Sequence, residues 1–130
     1  MKSMIMLGLF LTSAVSADVV YMQEDSEGKS IILQQDAPTT LTVVSDSAQK
    51  EWALYPDISP DGQEVIFVEG PGANDLHLTY KNLKKNTLQR FHTDRKGMLL
   101  HPKFSKNLKY IYYSSPGPRG KNTIYYFDLS

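Results

Sequence analysis

A shift of 46 positions lays one stretch of this 130-residue chain onto another without a gap. Tyr55-Pro56-Asp57-Ile58-Ser59 falls on His101-Pro102-Lys103-Phe104-Ser105, and Val65-Ile66-Phe67 falls on Ile111-Tyr112-Tyr113. Leu78-Thr79-Tyr80-Lys81-Asn82-Leu83 falls on Ile124-Tyr125-Tyr126-Phe127-Asp128-Leu129. The same shift backward carries Val65–Val68 onto Val19–Met22 and Leu78 onto Ile32. Pro56/Pro102, Ser59/Ser105, Tyr80/Tyr126 and Leu83/Leu129 are identical, and most other agreement is by residue class. A period of this length, with about four short strands in each copy, is the signature of propeller blades. One such sheet cannot bury its apolar face alone, so each copy needs a neighbour stacked on it.

The central copy shows the strand pattern best. Ser59-Pro60-Asp61-Gly62 is a turn by its chemistry. Proline presets φ, aspartate bonds its own backbone, and glycine accepts positive φ. The β-branched and aromatic run Val65–Val68 follows, so Trp52–Ser59 and Glu64–Val68 read as a tight hairpin. Gly62 is expected at positive φ. Further strands are predicted at Asp18–Met22, Ser30–Gln34, Leu41–Ser45, Leu76–Tyr80, Thr87–His92, Leu99–Phe104, Tyr110–Ser114 and Thr123–Leu129. No stretch sustains a helical period. The expected grouping is three strands in copy 18–45, four in copy 52–92 and three in copy 99–130. Ile58, Val65, Phe67, Leu78 and Tyr80 are the expected core. Trp52 heads the inner strand and is expected to pack in the core or between sheets. Of the tyrosines at 110, 112, 113, 125 and 126 about half should pack between blades, because alternate strand positions face opposite ways.

The pattern P-x-x-S-P-D-G-x-x-[VI]-x-[FY], followed by an apolar strand ending in an Asp-Leu-like pair, resembles the TolB-type (WD-like) β-propeller repeat. Pro56, Ser59, Pro60, Asp61, Gly62, Val65 and Phe67 carry it in the central copy. Pro102, Ser105, Ile111, Tyr113, Asp128 and Leu129 carry it in the next. That copy has Lys106-Asn107-Leu108 where Pro-Asp-Gly would stand, so its turn is expected to differ. The resemblance covers Trp52–Ser130 well and Asp18–Ser45 weakly. It implies an all-β partial propeller of stacked four-stranded antiparallel blades, an incomplete ring. It also implies a periplasmic scaffold that binds proteins. The chain departs from the TolB pattern in opening on a blade strand at Asp18, where that family carries a separate α/β domain. Similar blades also precede the catalytic domain of prolyl-oligopeptidase-type peptidases, so the alternative implied is the gating part of a hydrolase.

Met1–Ala17 has the layout of a signal peptide, with Lys2 as its basic start and Met4–Leu11 as its apolar centre. That centre is too short to span a bilayer. Val15-Ser16-Ala17 supplies small residues before a cut ahead of Asp18. The absence of cysteine excludes a bacterial lipid anchor and disulfides, and fits a periplasm better than a small secreted scaffold, the expected location being periplasmic or secreted. The 113 residues after Ala17 are fewer than four 46-residue blades need, so 18–130 is expected to be an N-terminal piece of a longer protein or a truncated reading frame, with a self-contained domain as the competing reading. Its end blades should expose an apolar face, and the isolated chain should self-associate.

No chemistry-bearing motif stands out. Asp57-x-Ser59-x-Asp61-Gly62 starts like a calcium loop, but Val68 occupies the twelfth position, where a glutamate is needed. His77, His92 and His101 lack metal-ligand spacing. No G-x-S-x-G is present. Ser105, His101 and Asp94 have the residue types of a triad, which only geometry defines. Catalytic, metal and cofactor residues are therefore expected to be none, with no nucleic-acid partner and no membrane span. Charge is lopsided: 18–80 holds twelve acids and two bases, 81–130 eleven bases and two acids. Complementary rims on neighbouring blades account for that pattern.

Overall fold

A computed structural model describes residues 19–24, 30–37, 40–45, 52–72, 75–91 and 99–130. The predicted leader Met1–Ala17 and residue Asp94 lie outside the described residues. The strands are β1 (Val19–Glu24), β2 (Ser30–Ala37), β3 (Thr40–Val43), β4 (Trp52–Ile58), β5 (Glu64–Gly70), β6 (His77–Asn82), β7 (Thr87–Phe91), β8 (Leu100–Phe104), β9 (Tyr110–Pro116) and β10 (Asn122–Asp128). They form three antiparallel sheets in the orders β1-β2-β3, β4-β5-β6-β7 and β10-β9-β8. Strands therefore group as the repeat predicts. A short 3₁₀ turn, Pro118–Gly120, joins β9 to β10. Among the described residues no helix is long and apolar enough to cross a membrane.

Two cores hold the sheets in a stack. Odd-numbered positions of β5 face back: Val65 and Phe67 pack with Ile32, Val44 and Ala53. Even-numbered positions face forward: Ile66 and Val68, with Leu78 of β6, pack with Leu99, Ile111 and Tyr113. β5 is therefore buried on both faces, which explains its unbroken apolar run. β9 alternates instead, with Ile111, Tyr113 and Ser115 buried between exposed or half-buried neighbours.

Three expectations about packing are corrected. Ile58 and Tyr80 are half-buried rather than central. Ile58 ends its strand at the edge of the back core, and Tyr80 sends its hydroxyl to Glu64 Oε1. The full burial instead includes Ile66, Val68, Leu99 and Ile111. Trp52 is 43% exposed, because it begins β4 opposite Gly70, at the far end of the hairpin from the turn.

The turn after β8 is also corrected, since it does not differ from the one after β4. In the first, the Ser59 hydroxyl donates to Asp61 Oδ1 and accepts from the Glu64 N–H at 3.0 Å. Asp61 Oδ1 also accepts from the Gln63 N–H at 3.1 Å. In the second, the Ser105 hydroxyl donates to Asn107 Oδ1 and accepts from the Tyr110 N–H at 3.0 Å. Asn107 Oδ1 accepts from the Lys109 N–H at 3.2 Å. Gly62 has φ 71°, and Leu108 takes the matching place at φ 56°. Asparagine offers the same acceptor as aspartate, so the pattern survives. A leucine is forced into a conformation that disfavours a side chain.

Candidate binding face

The inner strand of each later sheet carries the same kink. A register shift lies between Leu54 and Asp57 in β4, and another between Leu100 and Lys103 in β8. Each contains a proline, Pro56 or Pro102, preceded by a residue at positive φ: Tyr55 at 54° and His101 at 51°. The bulge brings both rings together across the sheets, tilted at 48° with centroids 4.3 Å apart. It also aims Asp57 at the next sheet. Asp57 Oδ1 accepts from Lys103 Nζ at 2.8 Å, and Oδ2 accepts from the Phe104 N–H at 2.9 Å. Asp57 is thus a clasp between sheets rather than the start of a cation loop. Among the described residues no three His, Asp or Glu gather to hold a metal.

Of the repeat motif, Ser59, Val65, Phe67, Pro102, Ile111 and Tyr113 are buried, and Ser105 is half-buried. Pro56 is half-buried in its bulge, while Pro60 and Asp61 are exposed in the turn. The hydrogen bond from Ser59, joined by that from the Gln63 N–H, holds the Asp61 carboxyl below its usual range. Ser105 Oγ is committed to the turn, and His101 to Tyr55.

One charged cluster has no counterpart in the repeat. Glu69 is buried near the end of β5. Its Oε1 accepts from Thr79 Oγ1 at 2.8 Å and from Arg90 Nε at 3.0 Å. His77 Nε2, directly across the ladder, is a longer and weaker partner at 3.5 Å. Burial pushes this carboxyl up, but contacts from His77, Thr79 and Arg90 outweigh it and hold it below the usual glutamate value. Among the described residues Glu69 Oε2 has no hydrogen-bond partner. The sequence signal was a glutamate closing an apolar run, Val65–Val68. Its cation stands 21 residues away, so spacing alone did not reveal the cluster. Next to it, a Cβ on Gly70 would come within 1.9 Å of the Asp75 carbonyl oxygen, so the chain crosses itself there only with glycine.

The open surface is the forward side of the third sheet. Tyr112 is 42% exposed, Ile124 74% and Tyr126 63%. Tyr110, Tyr112 and Tyr126 ring a shallow hollow of about 190 Å³. Tyr110 and Tyr126 meet edge to face at 5.5 Å, and Tyr112 lies 6.5 Å from Tyr126. Their neighbours Tyr113, Tyr125 and Phe127 point the other way, into the core with the middle sheet. So the tyrosine-rich strands divide as the two-residue period requires.

No known family profile matches the chain, and no curated protein matches it. Among solved structures, TolB from Acinetobacter baumannii superposes on 87% of this chain with a TM-score of 0.68 and 22% identity. The chain spans 27% of that structure's length. At this identity the likeness concerns the fold. The chain is all-β, a partial propeller of stacked antiparallel sheets that does not close into a ring.

Proposed function

We propose that this chain is exported and serves as a TolB-like propeller module that binds protein, with no catalysis of its own. The observation that supports it is the bare apolar face of Tyr112, Ile124 and Tyr126. Contiguous apolar surface of that kind on an exported domain marks an interaction site. Tyrosine adds large contact area with a hydrogen-bonding tip. In this reading Met1–Ala17 directs export and is removed, and the remainder works in the periplasm or beyond it as a scaffold.

The test places a photocross-linking amino acid at Tyr126 in the leader-bearing chain, expressed in a Gram-negative cell. Expected are an N-terminus at Asp18 by mass spectrometry, recovery in the periplasmic fraction, and a discrete cross-linked protein adduct. Intact Met1 in the cytoplasm would defeat export. An exported chain with no adduct from Tyr126 would defeat the binding role.

A further inference from the structure

We infer that the forward face of the third sheet receives the first sheet of a second copy of this chain, head to tail. The inference rests on the protein-binding reading above and names the partner. Its basis is the internal interface of the stack. Ile66, Leu78 and Tyr80 of the middle sheet stand where Tyr112, Ile124 and Tyr126 stand in the third, one repeat later. In the middle sheet that face is covered by Ile111 and Tyr113 of the next copy. One repeat before Val65 and Phe67, and two before Ile111 and Tyr113, stand Val19 and Tyr21. Val65 and Phe67 fill the back core. Val19, in the same column of the first sheet, is 49% exposed, and Tyr21 is half-buried. The molecule thus carries both halves of its own sheet-to-sheet contact, one at each end of the stack.

Charge favours the same pairing. β1 and β9 run in the same columns, so Glu24 at the end of β1 matches Pro116 at the end of β9. Glu24 is exposed, and so are Arg119 and Lys121, which follow Pro116. Head-to-tail stacking brings an acidic strand end beside a basic one. Two copies would place six sheets in a ring, within the four to eight blades that closed propellers use. A head-to-tail contact ends either in such a ring or in an open filament.

Sedimentation velocity on the exported chain, residues 18–130, across a dilution series, tests this. Expected is a reversible species of twice the chain mass. Tyr126→Glu, at a side chain 63% exposed, should leave the circular dichroism spectrum unchanged. It should also weaken the dimer about thirtyfold or more. Arg119→Glu with Lys121→Glu should weaken it a few-fold, most at low salt. Mixing that variant with Glu24→Lys should restore a mixed dimer. A monomer at every concentration overturns the inference, as does an assembly of any size indifferent to Tyr126→Glu. A monomer that still yields an adduct from Tyr126 in cells would leave the binding role standing with a different partner.

Discussion

Leu78 and Ile124 hold the same place in successive sheets, yet Leu78 is fully buried and Ile124 is 74% exposed. Both are apolar residues in the third strand along the chain within their copies. The difference is the neighbour: Ile111 and Tyr113 of the third sheet pack over the face that holds Leu78, whereas no described strand lies over Ile124. Sequences of the two sheets record this. Val65–Val68 is apolar without interruption, while Ile111–Ser115 alternates between a buried and a wetter side. The turns teach the converse. Ser59–Glu64 and Ser105–Tyr110 share few residues but make matching hydrogen bonds. A repeat can thus keep its backbone while its surroundings, and the demands on its side chains, change.

The largest test of that contrast is truncation at the shared position. Leu78→Ala should cost about 2–5 kcal/mol, the range for emptying a packed site. Ile124→Ala should stay within about 0.5 kcal/mol in the monomer, as for exposed positions generally. Urea denaturation of both variants at low protein concentration measures the difference. Equal losses would mean that the two sheets are covered alike.

A smaller effect is expected in the turns. Gly62→Val places a β-branched side chain at φ 71° and should cost on the order of 1 kcal/mol or more. Leu108→Gly relieves the same strain at φ 56°. It should be neutral to stabilising by less than about 1 kcal/mol, because glycine also loosens the unfolded chain. Thermal melts of the two variants, moving in opposite directions, would sharpen the view that one backbone serves both turns. A stabilised Gly62→Val would break it.

The smallest effect is pH-dependent and separates the turns by chemistry. Asp61 has its carboxyl held below the ordinary value of 3.8, chiefly by Ser59. Its contribution is therefore complete above that value and is lost as pH falls through the lowered one. Asn107 does not titrate. Asp61→Asn should flatten part of the acid limb of a stability–pH curve, and Asn107→Asp should steepen it. Identical curves for both variants and the parent would show that the aspartate's hydrogen bonds contribute nothing.

Much of this molecule follows from local chemistry. Gly62 at positive φ, the hairpin around Pro60-Asp61, and the three, four and three strands of the described residues all follow from turn residues and a two-residue period. Those are short-range rules, legible in any one copy and reinforced by the repeat. The exposed tyrosines were half legible, since alternation shows that Tyr112 and Tyr113 face opposite ways but not which side is wet.

What the tertiary structure decided depends on contacts far apart in sequence. Trp52 looks like a core residue by type, yet its place at the start of β4 leaves it in solvent. Asp57 resembles a cation ligand until the bulge at Pro56 turns it toward Lys103 and Phe104, 46 and 47 residues on. Glu69 meets His77, Thr79 and Arg90 only because three strands lie side by side. Leu108 could take the place of glycine because the bonds around it, from Ser105 and Asn107, hold the backbone in a conformation that leucine alone would avoid. Local sequence sets what each strand and turn prefers. Burial and partnership depend on which sheet is stacked against which, and that is a property of the assembled core.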